Sequence, residues 1–195
     1  MQESDRTLQQ DVLDFWFGAR GSAEYGTIRD VWFRKDAVFD TTVRKRFGAS
    51  VDRAIAGDFA DWKPPRAGLA CVLLLDQFTR NIYRDTPRAF AGDELALATA
   101  EDVVASHGDA ELAPVERWFL YMPFVHAESV QAQARSVEFF TRLRDETGLD
   151  APLPWAHRHA AVIRRFGRYP HRNAVLGRTS TAEELEFLAG TRSGF

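Results

Sequence analysis

The sequence predicts an all-α fold: a single domain over residues 1–195, with six to eight helices packed as antiparallel hairpins. Three observations indicate this class. Apolar residues recur every three or four positions along much of the chain, as in the series Phe39, Val43 and Phe47. Glycines and prolines separate these stretches. Short alternating runs joined by hairpin turns, which would indicate strands, do not occur in the sequence.

Capping residues, prolines and glycines set the expected helix ends. Asp36 is expected to cap the second helix, and Pro114 to start another that Pro123 interrupts or kinks before a longer helix continues. Ser180 and Glu183 have the spacing of a capping box that opens the last helix. The predicted helices cover about residues 6–17, 36–57, 69–84, 87–107, 114–122, 125–144, 155–166 and the segment from 180 onward.

The rest of the chain is expected to pack around one stretch, Leu69–Arg84, with the sequence LACVLLLDQFTRNIYR. It opens with an apolar run and then changes character without a helix-breaking residue. A helix that is apolar all round belongs in a core, and polar groups that follow there must be paired or solvated. Helical spacing puts the polar residues Asp76, Gln77, Arg80, Asn81 and Arg84 on one side and the apolar residues Leu74, Leu75, Phe78 and Ile82 on the other.

Composition and charge narrow the function classes. The net charge of −3 and the isoelectric point near 6.0 argue against nucleic acid as the main partner, because domains that bind nucleic acid are usually basic. The one cysteine, Cys71, lies in the apolar run, which predicts a small buried side chain and allows no intramolecular disulfide. The first residues are polar, and no apolar run approaches the ~20 residues that span a bilayer. We therefore expect a cytoplasmic protein without a membrane segment.

Five segments, in order, resemble a known bacterial family, the one catalogued as domain of unknown function 924. The likeness extends over nearly the whole chain. One departure is visible, because Ala127 stands where the family pattern leads us to expect a serine. The segments are VLDFWFG (12–18), WFRKDAVFD (32–40), LLLDQFTRNIYRDTPRAFAGD (73–93), ERWFLYMPFVHAES (116–129) and RFGRYPHRNAVLGRTST (165–181).

The resemblance implies a single helical domain akin to tetratricopeptide-repeat folds, and it supplies no established activity. The size and the small residues of the helix pair 69–107 also fit a helical-repeat hairpin, although no clean internal repeat is visible. The polar positions that recur in the family fall here on Asp76, Gln77, Arg80, Asn81, Arg84, His126, Glu128, Gln131, His171, Arg172, Asn173 and Arg178.

Two groups of side chains at the centre of the chain point to chemistry. Asp76 and Arg80 are four residues apart and can pair within one helix, while the arginines and amides of this helix offer donors to a carboxylate or phosphate. Alternatively, these groups cap helix ends and satisfy the backbone of the following loop.

His126 and Glu128 point to nearly opposite sides if both are helical, but an irregular backbone after Pro123 would let His126 turn inward as a general base. Structural anchoring is the alternative there too.

A third group lies in the stretch 151–182, which contains arginines and histidines but neither Asp nor Glu. In a chain of net negative charge this local excess must pair with acids elsewhere or face an anion. The part from 166 to 178 is irregular in pattern and rich in donors, which is typical of a binding loop on a helical scaffold. Across the three groups, catalytic roles are assigned to His126, Glu128, His171 and Asp76, and ligand-binding roles to Gln77, Arg80, Asn81, Arg84, Gln131, Arg172, Asn173 and Arg178.

The sequence indicates no cofactor, because phosphate-loop, dinucleotide-binding, zinc-protease and nucleophile-elbow motifs are all absent from it. Five histidines leave a histidine–carboxylate metal site open, but no spacing favours one. Whether the protein is an enzyme stays open as well.

Three functional hypotheses follow. The favoured one is a polar pocket, between the central helix, the helix from Val125 and the loop 168–178, that binds a small anionic molecule, with or without transforming it. The second is a tetratricopeptide-like scaffold that binds a peptide or protein partner in a groove. The third, an RNA-binding architectural protein, rests on the arginine-rich stretch alone. A homodimer surface would show as exposed aromatics among Trp16, Trp32, Trp62 and Trp118, all of which also suit a core.

Overall fold

The computed structural model describes residues 3–63 and 65–190. Within that part of the chain the regular elements are all helices, and there is no strand. The predicted all-α class is confirmed. Counted with 65–82 as one continuous helix, the described residues form eight α-helices. They are α1 (Glu3–Phe17), α2 (Ala37–Ile55), α3 (Pro65–Val72, π-helical Leu73–Phe78 and Thr79–Ile82), α4 (Asp93–Ala105), α5 (Pro114–His126), α6 (Val130–Thr147), α7 (Leu153–Phe166) and α8 (Ala182–Gly190). Short 3-10 turns cover Asp30–Trp32, Pro87–Phe90, Gly108–Glu111 and Pro170–Arg172.

Helix α3 is the centre of the molecule. It packs against α1, α2, α4 and α5, and its side chains are buried without interruption from Ala67 to Thr79. Cys71 is 3% exposed, as predicted for a small buried side chain. The predicted apolar side of the helix is also confirmed, because Leu74, Leu75, Phe78 and Ile82 all lie in the core.

The middle of α3 is a π-helix, which the sequence pattern did not predict. Because the turn is wider, backbone carbonyls there accept hydrogen bonds from side chains. The Thr79 hydroxyl donates to the carbonyls of Leu75 (2.8 Å) and Asp76 (3.0 Å), and Arg80 Nη1 donates to the Asp76 carbonyl at 2.8 Å. Side chains therefore satisfy the acceptors at this point of the helix, and π-helical turns of this kind occur frequently at functional sites.

Helix α4 approaches α3 closely because small residues face it. Ala96 and Ala100 are fully buried, whereas Ala91 and Ala98 are exposed. A Cβ atom on Gly92 would lie 2.2 Å from the carbonyl oxygen of Leu75. Only glycine fits there, and the contact fixes the start of α4 beside the π-helical turn.

Pro123 is predicted to interrupt or kink its helix, and the predicted interruption is wrong. Helix α5 runs through Pro123 to His126, and the break comes at Ala127, whose backbone is extended (φ −71°, ψ 133°). Ser129 then caps α6 by accepting a hydrogen bond from the Ala132 amide at 3.3 Å. His126 is consequently the last residue of its helix, and the backbone that follows it is extended.

The capping predictions are confirmed for α2 and off by one residue for α8. The Asp36 carboxylate accepts from the amides of Val38 and Phe39, both at 3.0 Å. At α8 the capping box consists of Thr181 and Glu184: the Glu184 amide donates to Thr181 Oγ1 at 3.2 Å, and the Thr181 amide to Glu184 Oε2 at 2.7 Å.

Two further expectations concern surfaces. Trp16, Trp62 and Trp118 are buried, and Trp32 is half-buried against the same core, so these side chains do not form an exposed aromatic face. In the described part of the chain, no helix combines the length and apolar character needed to cross a membrane. The tetratricopeptide-like arrangement stays a prediction.

Candidate functional site

Asp76 is the centre of a buried polar network between α3 and α5. Its side chain has no exposed surface, and Oδ1 lies 2.6 Å from Nδ1 of His126 and 3.0 Å from Nη1 of Arg80. Gln77 donates from Nε2 to Oδ2 at 2.6 Å. A buried carboxylate is stable in the ionised form only when it is paired and hydrogen-bonded. Here both oxygens are engaged.

Arg80 extends this network to α4. Its Nη1 lies 2.9 Å from Oδ1 of Asp93, and its Nη2 donates to Oδ2 at 3.1 Å. Arg172 reaches the same carboxylate from the turn Pro170–Arg172, at 3.1 Å, and donates from Nη2 to the His126 carbonyl at 3.0 Å. Asp93 is shared by two guanidinium groups, which holds the two arginines side by side.

Aromatic rings support the same two arginines. The ring of Phe90 lies 4.6 Å from the guanidinium carbon of Arg172 and 5.6 Å from that of Arg80. Tyr169 lies 4.6 Å from Arg172. Cation–π contacts of this kind position a guanidinium without using its N–H donors. The Arg172 Nε is buried and has no hydrogen-bond partner among the described residues.

The end of α5 is held in place by side chains from α6 and from the segment after α7. Gln133 is buried, and its Nε2 donates to the carbonyls of Val125 (2.7 Å) and Ala127 (2.8 Å). The Tyr169 hydroxyl also donates to the Val125 carbonyl. These bonds satisfy carbonyls that a helix end leaves without partners, and they fix the position from which the His126 ring extends towards Asp76.

Burial and charge set the protonation states of the two central groups. Burial alone would raise the pKa of Asp76, but Arg80, His126 and Gln77 outweigh it and hold that pKa well below its usual range. Burial lowers the pKa of His126, the Arg80 charge lowers it further, and Asp76 opposes both. Since a carboxylate can only accept, Nδ1 of the neutral imidazole carries the proton, which leaves Nε2 with its lone pair.

A cavity of about 310 Å³ opens in front of this network. Four cationic side chains and one carboxylate, that of Asp85, are among the residues that line it. Lys35 is exposed, and its contact with Asp85 is long, at 3.6 Å. The lining residues are Lys35, Arg80, Arg84, Asp85, Ala89, Phe90, His126, His159, Tyr169, His171 and Arg172.

The two other histidines of the cavity and Tyr169 favour their neutral forms. Burial lowers the pKa of His159 to about 4. Burial and the neighbouring Arg172 charge lower the pKa of His171, and burial raises the pKa of Tyr169. At neutral pH the positive charge of the lining therefore comes from Lys35 and the arginines, and the histidines can accept protons.

The structure brings five of the twelve sequence-predicted site residues to the lining of this cavity and two more directly behind it. Arg80, Arg84, His126, His171 and Arg172 line it, and Asp76 lies directly behind His126 and Arg80, with Gln77 bound to its carboxylate.

Arg84 and Asn81 share a different carboxylate, that of Asp40 in α2. Arg84 binds it through Nε at 2.5 Å and Nη2 at 3.0 Å, and Asn81 donates to it at 2.7 Å. The polar side of α3 thus divides in two: Asp76 and Arg80 face α4 and α5, and the other pair ties α3 to α2. Of that pair, only Arg84 also lines the cavity.

The remaining predicted residues form a separate group away from the cavity lining. Glu128 accepts from Arg178 through both oxygens, at 2.6 and 2.9 Å, and from the Tyr169 amide at 2.7 Å. Asn173 is buried and bonds to Arg178, Ser180 and Glu184, and Gln131 is exposed beside Ser129. The bonds of Glu128 hold the segment after α7 against the end of α5, and those of Asn173 tie this segment to itself and to α8. Gln131 takes no part in these contacts.

Sequence reasoning missed several residues of the cavity and of the network behind it. Asp93, Phe90 and Tyr169 lie within the segments that resemble the family, but spacing along one helix could not reveal them. Asp93 and Phe90 contact arginines of other elements, and Tyr169 contacts Arg172 within an irregular segment. Lys35 and His159 had no local signal. Within residues 3–63 and 65–190, no group of three or more His, Cys, Asp or Glu side chains is placed to hold a metal ion.

Comparison with known proteins places the chain in a family. No functionally curated protein matches the sequence. A solved structure of a protein of unknown function from Agrobacterium tumefaciens is similar, with 36% sequence identity and a TM-score of 0.83 over 95% of this chain and 99% of that one. The profile of a family described as bacterial protein of unknown function, DUF924, matches residues 12–192. The chain belongs to this family.

Proposed function

We propose that the cavity between α3, the end of α5 and the segment after α7 binds a small anionic molecule. The single observation that carries the proposal is the composition of its lining, in which four cationic side chains accompany one carboxylate and a histidine whose orientation Asp76 fixes. A volume of about 310 Å³ suits a small molecule. The arginines already contact Asp76, Asp93 or Asp40, but each guanidinium has five N–H donors, so donors remain for a carboxylate or phosphate oxygen.

We further propose that His126 serves as a general base towards the bound anion or towards a water molecule beside it. Its Nδ1 is committed to Asp76, and its lowered pKa keeps the ring neutral at pH 7. Neutral imidazole with a fixed tautomer is the form that accepts a proton at Nε2. In this role Asp76 is a positioning residue, because its partners are Gln77, Arg80 and His126.

The test begins with a thermal-shift screen against inorganic phosphate, sugar phosphates, nucleotides, mono- and dicarboxylates and divalent metal ions. A ligand that binds only the native state raises its apparent stability by mass action. Calorimetry on the best anion then compares the wild-type protein with Lys35→Gln. Lys35 is exposed and lines the cavity, so its removal spares the buried ion pairs that an Arg80 or Arg172 variant would break.

The matched control is Lys45→Gln, which removes the same charge from an exposed position of α2 outside the cavity lining. An exposed charge contributes about 1 kcal/mol or less, so we expect Lys35→Gln to weaken binding up to about fivefold and Lys45→Gln to leave it unchanged. Equal effects of both variants, or no anion that binds, would refute the proposal.

The alternative, a helical scaffold for a peptide or protein partner, stays a prediction, as do a homodimer and a cytoplasmic location. No contact among the described residues favours these over the anion pocket.

A further inference from the structure

A second cavity, of about 510 Å³, lies beside the first and is lined almost entirely by apolar side chains. Its residues come from the loop between α1 and α2, from α5 and α6, and from the start of α7. They are Ile28, Phe33, Trp118, Met122, Val125, Phe140, Ala151, Pro152, Trp155, Ala156 and His159.

This apolar groove leaves large hydrophobic side chains open to solvent. Phe33 is 56% exposed, Ile28 47% and Trp155 45%. Phe33 is nevertheless held in place, because its ring stacks on Trp118 at 5.3 Å with 24° between the planes. Rigid, solvent-exposed apolar surface in a concave site is typical of ligand-binding grooves.

The groove and the cationic cavity adjoin at three points of the chain. His159 lines both. In α5, Val125 lines the groove and the next residue, His126, lines the cavity. In the loop before α2, Phe33 lines the groove and Lys35, two residues later, lines the cavity. The apolar compartment and the cationic one thus adjoin beside the last turn of α5 and at His159.

We infer that the natural ligand is an amphipathic anion, with its carboxylate or phosphate in the cationic cavity and an apolar acyl or aryl part in the groove. The inference rests on the proposed function and deepens it, since it names the class of anion. Continuity at Val125–His126, Phe33–Lys35 and His159 favours one molecule that spans both compartments over two independent ligands. The single thioether, Met122, gives the groove an adaptable wall.

The test compares matched probes by calorimetry: acetate with octanoate, and inorganic phosphate with phenyl phosphate. Each buried methylene contributes about fourfold in affinity, so burial of even a few gives octanoate an advantage of more than about tenfold over acetate. The phosphate pair separates the two anion types, and either pair that shows the advantage supports the inference. Lys35→Gln should weaken the short and the long probe by the same factor.

Groove variants provide the second arm. Phe33→Ser and Trp155→Ser change exposed side chains, so folding is spared, and we expect each to cut the advantage of the apolar probe at least about threefold while leaving acetate and inorganic phosphate unchanged. Val38→Ser is the matched control, because Val38 is 78% exposed and lies outside the groove.

The outcomes separate the two proposals. Binding of the short anions with no gain for the apolar probes would overturn the amphipathic ligand and leave the anion site standing. An apolar probe that binds independently of Lys35 would make the groove a separate site and overturn the inference as well. So would a change in sedimentation coefficient in Phe33→Ser and Trp155→Ser alone, which would identify the groove as a contact between protein chains. Failure of all four probes would overturn the amphipathic ligand, and failure of every anion of the screen would refute the anion site itself.

Discussion

Asp76 shows how one residue can organise a site from inside the core. Burial opposes ionisation of its carboxylate, but Arg80, His126 and Gln77 each stabilise the charged form. The pKa of Asp76 therefore lies low and the group stays ionised at neutral pH. The carboxylate holds the His126 ring in one tautomer and Arg80 in one rotamer. The network therefore stabilises the fold and also positions two side chains that line the cavity.

Removal of this charge should be costly. In Asp76→Asn, Arg80 loses one of two carboxylate partners in the interior, and breaking a buried ion pair on one side typically costs about 3–5 kcal/mol. We expect a loss of that order in the free energy of unfolding, measured by urea denaturation. The matched control is Asp52→Asn, because Asp52 pairs with Arg88 at 2.7 Å with both side chains about half exposed. It should cost about 1 kcal/mol or less. Similar losses in both variants would contradict the role given to Asp76.

At the residue scale, the sequence predicted part of this network. The spacing of Asp76 and Arg80 indicated an intrahelical pair, which is present at 3.0 Å. The histidine that completes it lies 50 residues away in the chain, and no spacing along one helix encodes such a contact. For the same reason Glu128 was grouped with His126, whereas its partners are Arg178 and the Tyr169 amide.

At the element scale, the site depends on how closely α4 approaches α3. Gly92 stands against the Leu75 carbonyl, and the next residue, Asp93, then reaches Arg80 and Arg172. The absence of a side chain at one position thus places a carboxylate at the next. The π-helical turn of α3 lies at the same level and carries Asp76, so both acids come from a region where the backbone deviates from a regular α-helix.

Gly92→Ala should therefore destabilise the protein and disturb the site. The new Cβ would meet the Leu75 carbonyl oxygen at 2.2 Å, so α4 must shift, and overpacking of this kind costs about 1–3 kcal/mol. Gly48→Ala is the matched control, because nothing lies within 4 Å of its Cβ position in the interior of α2. We expect that variant to be neutral or up to about 1 kcal/mol more stable. Thermal unfolding measures both, and an unchanged melting temperature in Gly92→Ala would contradict the close approach.

The helices themselves were largely predictable, because apolar periodicity, Asp36, Pro114 and the glycines after helix ends are local signals. Two features were not. Pro123 is tolerated inside α5, which ends instead at His126, and Ser129 caps the next helix. The π-helical turn lies where α3 is buried on all sides, and its sequence has the pattern of an ordinary helix.

At the scale of the whole molecule, the site draws on distant parts of the chain: the loop before α2, α3, the turn before α4, the end of α5, and α7 with the segment after it. The α6 residue Gln133 and the pair Glu128–Arg178 hold the last two together. Cavities between helices are a common setting for ligand sites. Sequence alone indicated the polar segments that meet here, but the apolar groove beside them emerged only from the tertiary arrangement.

The buried histidines predict how stability depends on pH. Burial holds the pKa of His159 at about 4, below the ordinary value of 6.5, so the unfolded chain binds more protons between these values. Stability is then complete above pH 6.5 and falls as the pH drops towards 4. The lowered pKa of His126 acts in the same direction.

Urea denaturation at several pH values tests this dependence. His159→Gln should flatten the fall in the free energy of unfolding between pH 7 and pH 4.5, whatever its effect on stability at pH 7. His157→Gln is the control, because His157 is exposed on the same helix, and it should keep the wild-type slope. Slopes that are the same in all three proteins would show that His159 is not held neutral by the fold.

The most direct test of the anion site is a long-range ¹H–¹⁵N spectrum of the histidine rings during titration with the tightest-binding anion of the screen. Before addition at pH 7.5, the account predicts a neutral His126 with its proton on Nδ1. As the anion is added, the His126 Nε2 signal should move and saturate, while that of the exposed His107 should move only as it does in sodium chloride of equal ionic strength. A His126 signal that stays fixed while the anion saturates the protein would contradict the account, because the anion would then bind elsewhere.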